Sequence, residues 1–175
     1  MYFRLYAETS GEPGERGSIQ TAIAIANPSP REASIRLELK SLTDYAFGSS
    51  ATSAMVTVPA NGQRAFFINQ IEGFQQVPTP FQGVLRVVVV SNDPVSLLGI
   101  RARYNERGDF LVTTTPPVAE EYYDKPRTQL IFPHFVMGGG YTTQFIVFGM
   151  FPQLTTRASL QFQSQLGLPM DITLH

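Results

Sequence analysis

Three features of this sequence predict an all-β architecture: an antiparallel sandwich followed by a partial second β-unit. Period-two alternation of apolar and polar residues recurs at intervals of roughly ten residues, whereas helical periodicity is almost absent. Pro, Gly, Asn and Asp cluster between the apolar runs, where chain reversals need them. The third feature is a phrase written twice. The first copy reads FRLYAE, a Gly-rich loop, GSIQTAIAIANPSP and REASIRLELKSL; the second reads LIFPHF, another Gly-rich loop, GYTTQFIVFGMFPQ and TTRASLQFQSQ. The first copy then runs on for about five more strands, while the second reaches His175 without them. A β-unit left unfinished presents sheet edges and an apolar face that something else must cover.

Strands are expected over 2–8, 18–26, 33–42, 53–58, 64–69, 82–90, 95–104 and 110–114, enough for a two-sheet sandwich. Ile35, Leu37 and Leu39 alternate with Arg36, Glu38 and Lys40, which describes a strand with one wet face. Ile19 to Ala26 and Val84 to Val90 are apolar on both faces and read as interior strands. Asn27-Pro28-Ser29-Pro30 stops the second strand, and Pro59-Ala60-Asn61-Gly62 links the fourth to the fifth. Ser91-Asn92-Asp93-Pro94 reads as a hairpin turn between 82–90 and 95–104. Asn105 to Asp109 turns into Phe110–Thr114, with Gly108 supplying a positive φ.

The expected organisation is a sandwich domain over 1–117, a Pro-rich acidic linker over 118–128 and a partial β-repeat over 129–175. Prolines at 116, 117 and 126 bracket the linker and favour an extended, semi-rigid chain. Beyond it, strands are expected over 129–135, 141–149, 157–164 and 169–174. Phe145 to Phe148 is apolar on both faces, while Ala158, Leu160 and Phe162, and then Met170, Ile172 and Leu174, alternate with polar residues. Four strands in so short a segment are too few for an independent core. This half is expected to pack on the first domain or on another chain.

Composition narrows the function classes. An apolar fraction of 43% with 11% aromatic residues is that of a folded globular chain. Thirteen Phe and seven Tyr, with abundant Val, Ile and Thr, favour strands. A net charge of −1 leaves no electrostatic footprint for nucleic acid or an anionic membrane. The absence of cysteine excludes disulfides and thiolate metal sites. No run of apolar residues is long enough for a transmembrane helix. The N-terminus carries no signal-peptide pattern, so the chain reads as cytosolic or as a mature or excised piece of a secreted protein.

Several phrases occur together: FRLYAE, GSIQTAIAIANPSP, VPANGQRAFFINQI, FQGVLRVVVVSNDPVSLLGIRARYNERGDFLVTTTPP and FPHFVMGGGYTTQFIVF, with Gly167, Pro169, Thr173 and Leu174 near the end. In these the chain resembles, over nearly its whole length, an uncharacterised β-sandwich repeat. That repeat occurs near the C-termini of secreted and cell-surface proteins of soil and environmental bacteria. The resemblance implies an Ig-like fold and an extracellular, non-catalytic setting, and it brings no functional residues with it. The aspartate usual before the glycine run is Met137 here, which speaks against an acidic or metal role for that loop.

Each motif with chemical potential has a plainer reading. His134 and His175 lie far apart, and no G-x-S-x-G elbow accompanies either. Gly138-Gly139-Gly140 precedes an expected strand, where a turn suits it better than an anion cradle. Glu120, Glu121 and Asp124, and more thinly Glu12 and Glu15, lack the D-x-D-x-D spacing of a calcium loop and read as solvated acids. Arg107-Gly108-Asp109 is an adhesion-type tripeptide at an expected hairpin tip, where the turn itself calls for Gly and tolerates Asp. Tyr122 and Tyr123 are a candidate glycan platform, because sugar rings stack on aromatic faces. The strongest candidate is assembly. An unfinished repeat offers a groove or a donor strand, and strand addition supplies main-chain hydrogen bonds with side-chain pockets.

The expectation is a non-catalytic structural or adhesive β-sandwich module at a bacterial surface or outside the cell. It is expected to need no cofactor or metal and to associate with itself, or with other domains of a larger surface protein, through sheet edges or strand complementation. A carbohydrate-binding module is the alternative. Expected contact residues are Phe145, Val147, Phe148, Met150 and Phe151, with Met170, Ile172 and Leu174 at the tail.

Overall fold

The computed structural model describes residues 1–42, 51–91, 93–120, 129–139, 141–149, 157 and 159–172. Two antiparallel sheets face each other. The strands are β1 (Tyr2–Thr9), β2 (Ile19–Asn27), β3 (Ala33–Ser41), β4 (Thr52–Val58), β5 (Gly62–Phe67), β6 (Phe81–Val89), β7 (Ser96–Tyr104), β8 (Phe110–Thr115) and β9 (Val118–Ala119). Sheet A has the order β4-β3-β6-β1-β9 and sheet B the order β5-β2-β7-β8. A short pair, β10 (Phe162–Gln163) and β11 (Pro169–Met170), stands apart from both.

One apolar cluster joins the sheets. Leu5 and Ala7 of β1, Leu85, Val87 and Val89 of β6 and Ile35, Leu37 and Leu39 of β3 point inward from sheet A to meet Ile23 and Ile25 of β2. The period-two side-chain pattern that predicts these strands also fills the core. Gly99 of β7 marks a close approach of the sheets, since a Cβ there would sit 2.9 Å from Cδ2 of Leu5. Polar ties reinforce the packing. The Thr21 hydroxyl of β2 accepts the Glu8 N–H at 2.8 Å and donates to the Glu8 carbonyl at 2.9 Å.

The turns follow their residues. Asn27 is 1% exposed, and its side chain replaces the backbone partners that the proline turn lacks. Its amide donates to the carbonyls of Arg31 at 2.7 Å and of Val58 and Pro59 at 3.1 Å each, and its oxygen accepts the Ser29 N–H at 3.0 Å. One side chain therefore ties the end of β2 to the end of β4 in the opposite sheet. At the β7–β8 hairpin, Asn105 Oδ1 accepts the N–H groups of Arg107 and Asp109, and Gly108 takes φ 88°.

Three expectations need correction. Ser91–Pro94 is not a hairpin turn: β6 lies in sheet A and β7 in sheet B, so this segment arches between layers. Turn residues mark where a chain reverses but not which sheet it enters. Val118 and Ala119, expected in the linker, form β9 and pair with Arg4 and Phe3 of β1. Among the described residues of 129–135 and 141–149 there is no strand, only a bridge between Gly138 and Tyr141, and 157–164 holds a strand only at β10. Strand propensity is realised only against a ladder partner, and the described residues of this half find one only at the β10–β11 pair and the Gly138–Tyr141 bridge. The all-β antiparallel sandwich is as expected, with a strand order of its own: the constant-type immunoglobulin domain places its first two strands in one sheet. Here β1 and β2 lie in opposite sheets.

Replacing Asn27 by Ala strands buried carbonyls at both ends of this corner. Asn27→Ala is expected to cost about 2–4 kcal/mol in urea denaturation, and a loss below about 1 kcal/mol would show that the corner holds without it.

Candidate functional site

The outer faces of the two sheets differ in chemistry. On sheet A the pairing register sets Arg4 of β1 directly beside Arg86 of β6, and Arg86 directly beside Glu38 of β3. Like charges side by side on a sheet repel, and both flanks of this pair are neutralised. Arg86 donates to Glu120, just past β9, with Nε···Oε2 of 2.9 Å, and to Glu38 with Nη1···Oε2 of 3.1 Å. Arg36 extends the row through a 2.8 Å contact with Glu38. Arg4 is 5% exposed, and its Nε lies 3.2 Å from Glu120 Oε1 without the alignment of a hydrogen bond, so that contact is Coulombic.

Burial lowers the Arg4 pKa; Glu120 opposes that shift and the neighbouring Arg86 adds to it. Burial acts on Arg86 in the same sense, but the hydrogen bonds to Glu120 and Glu38 outweigh it and leave its pKa raised. Each guanidinium also carries an aromatic ring. Phe148 lies 5.4 Å from Arg4 Cζ, and Tyr2 lies 4.9 Å from Arg86 Cζ, both within cation–π range. Lys40 of β3 and Val88 of β6 on this face are buried as well, while Arg36 stays exposed, so the wet side expected of β3 is covered only at its Lys40 end.

The contact through Phe148 brings the second half of the chain onto sheet A. Nearby, Gln144 Nε2 donates to the Tyr6 hydroxyl at 3.5 Å, and burial raises the Tyr6 pKa against that hydrogen bond. Phe145 is half-buried among aromatic rings, 4.8 Å from Phe132 and 6.3 Å from Phe162, while Phe135 stands 5.0 Å from Phe162. Met170 faces Phe162 across the β10–β11 pair, and Ile172 is half-buried. Val147 is 43% exposed and Met170 42%, so part of the expected contact set still faces solvent. Met150, Phe151, Leu174, Tyr122 and Tyr123 lie outside the described residues.

Sequence reasoning missed the two features that dominate this region. The first is the Arg4–Arg86–Glu120 cluster. A lone arginine within VLRVVVV, and another within FRLYAE, were its signals, because a charge inside an apolar strand needs a partner. The second is β8. All its residues are exposed, and among the described residues it pairs on one side only, with β7, at an edge of sheet B. At the adjoining tip, Arg107 and Asp109 pair with each other through a 3.2 Å contact, so the tripeptide's charges close on themselves. His134 is exposed, and among the described residues no three His, Asp or Glu side chains converge as metal ligands. Among the same residues, no helix is long and apolar enough to cross a membrane.

Glu120 pins β9 to sheet A, and removing its charge leaves two adjacent guanidiniums without it. Glu120→Gln is expected to destabilise the fold by about 2–4 kcal/mol and to speed proteolysis around residues 116–120. Glu120→Leu combined with Arg4→Met is expected to recover part of the loss in a double-mutant cycle. Unchanged stability and proteolysis would remove the cluster's role.

No protein-family model and no curated protein matches the chain. Among solved structures it is similar to the crystal structure of Thermotoga maritima 1070, with TM-score 0.49 and 16% identity, covering 66% of this chain and 90% of that one. It is also similar to the Anabaena sensory rhodopsin transducer, with TM-score 0.41 and 15% identity, covering 54% of this chain and 91% of that one.

Proposed function

We propose that this chain is a non-catalytic structural module of an extracellular or surface-bound bacterial protein. It associates with further copies by adding an apolar segment to an open sheet edge. The observation that carries this reading is β8. Phe110, Leu111 and Val112 are 51%, 48% and 53% exposed, and the strand holds no Pro, Gly or charged residue to block pairing. Edges of this kind are normally shortened, charged or covered. On sheet A the chain caps β1 in that way with β9. Sheet B has no such cap among the described residues.

The donor in this reading is the second half. Ile146, Val147 and Leu160 are exposed there, and residues 142–149 belong to no ladder. The sequence YTTQFIVFG repeats the pattern of β2, which is at home in sheet B. Because donor and acceptor are different surfaces, the contact is head-to-tail and propagates rather than closes. The extracellular setting rests on the resemblance to repeats of secreted bacterial proteins.

Light scattering and electron microscopy of the full chain test this. The wild type is expected to grow with concentration beyond a dimer. Leu111→Lys, which places a charge on the edge, and Phe145→Ser, which weakens the donor, are each expected to stop that growth. Growth untouched by both would sink the reading, as would its absence from the wild type.

A further inference from the structure

The outer face of sheet B is the reverse of the charged face on sheet A. Pairing places Ala22, Ala24 and Ala26 of β2 on it, beside Ile100 and Leu98 of β7. Phe67 of β5 and Val112 and Phe110 of β8 extend it on either side. Every residue that the register assigns to this face is uncharged. A solvated face of an antiparallel sheet is ordinarily polar, yet Leu98 here is 37% exposed. Alanine is depleted in strands, so a row of three on a central strand is not explained by propensity. Ala22 is 5% exposed and Ala102 of β7, on the same face, 3%, so the middle of the sheet lies low between larger side chains.

We infer that this face docks the same face of a second copy, across a two-fold axis near Ala24. Three considerations select that occupant. In an isologous contact each residue near the axis meets its own counterpart, so any charge there would meet itself; this face carries none. The alanine row lets two such sheets approach closely, with Leu98 and Phe67 flanking the trough. The area also suffices. Four strands about 4.8 Å apart and some 25 Å long cover about 500 Å² per copy, or about 1,000 Å² in all, which reaches the lower bound for a specific interface. The inference goes beyond edge pairing: it uses side chains on the face of the sheet, whereas strand addition uses the backbone of β8.

The two contacts separate in the Leu111→Lys background, where edge growth is blocked. Sedimentation velocity from about 1 µM to 1 mM is expected to show a monomer–dimer equilibrium in that protein. Ala24→Arg, at the centre of the trough, is expected to weaken the dimer more than about a hundredfold by burying an unpaired charge. Leu98→Arg, whose side chain already reaches solvent, tests the same face if Ala24→Arg fails to fold. Thr57→Arg adds the same charge to the outer face of sheet A and is expected to leave the dimer intact. The inference is overturned if the Leu111→Lys protein stays monomeric throughout, if folded arginine variants of the face still dimerise, or if Thr57→Arg disrupts the dimer equally. Loss of growth with retention of the dimer supports both contacts, whereas growth that survives Leu111→Lys counts against edge pairing alone.

Discussion

Arg4 and Arg86 stand side by side on the outer face of sheet A, and the path of the chain after β8 answers their repulsion. The chain passes from β8 at the edge of sheet B to β9 at the edge of sheet A and places Glu120 beside the two guanidiniums, while Glu38 of β3 holds Arg86 from the opposite side. Buried charges are tolerated only when paired. The route of 116–120 is therefore set by electrostatics as well as by the two backbone partners that β9 finds on β1. The same cluster gives the second half its seat, since Phe148 packs over Arg4.

This arrangement makes the two sides of the sandwich unequal. Sheet A has one edge capped by β9 and an outer face on which Arg4, Lys40 and Val88 are buried. Among the described residues, sheet B keeps the open edge β8 and an uncharged outer face. A molecule that shelters one side and leaves the other apolar and open is suited to contact with further protein. The buried polar side chains of Thr21, Asn27 and Glu120 hold strands together. Thr21 and Asn27 do so between the sheets, and Glu120 does so along a sheet edge.

The strands of the sandwich and its core were legible from alternation alone. Ile35, Leu37 and Leu39 are buried because every second residue of a strand faces the same way. The Asn105–Asp109 turn was equally readable, because Asn and Gly provide the local hydrogen bonds and the positive φ that it uses. The arch at Ser91–Pro94 was not, because a turn sequence is silent about the layer its next strand joins. The contact set in the second half was partly legible. The aromatic character of Phe145 and Phe148 marked them, but their actual partners, Phe132, Phe162 and Arg4, depend on how distant segments meet.

By itself the sequence determined an all-β chain, the positions of its first eight strands and the inward rows that form the core, because side-chain alternation and turn chemistry act over a few neighbouring residues. Tertiary structure alone decided which strands share a sheet, which edge is capped and which outer face keeps its charges. It also decided that 142–149 forms no ladder despite its strand-like sequence. A strand exists only with a partner, and the partner is chosen by contacts between residues far apart along the chain.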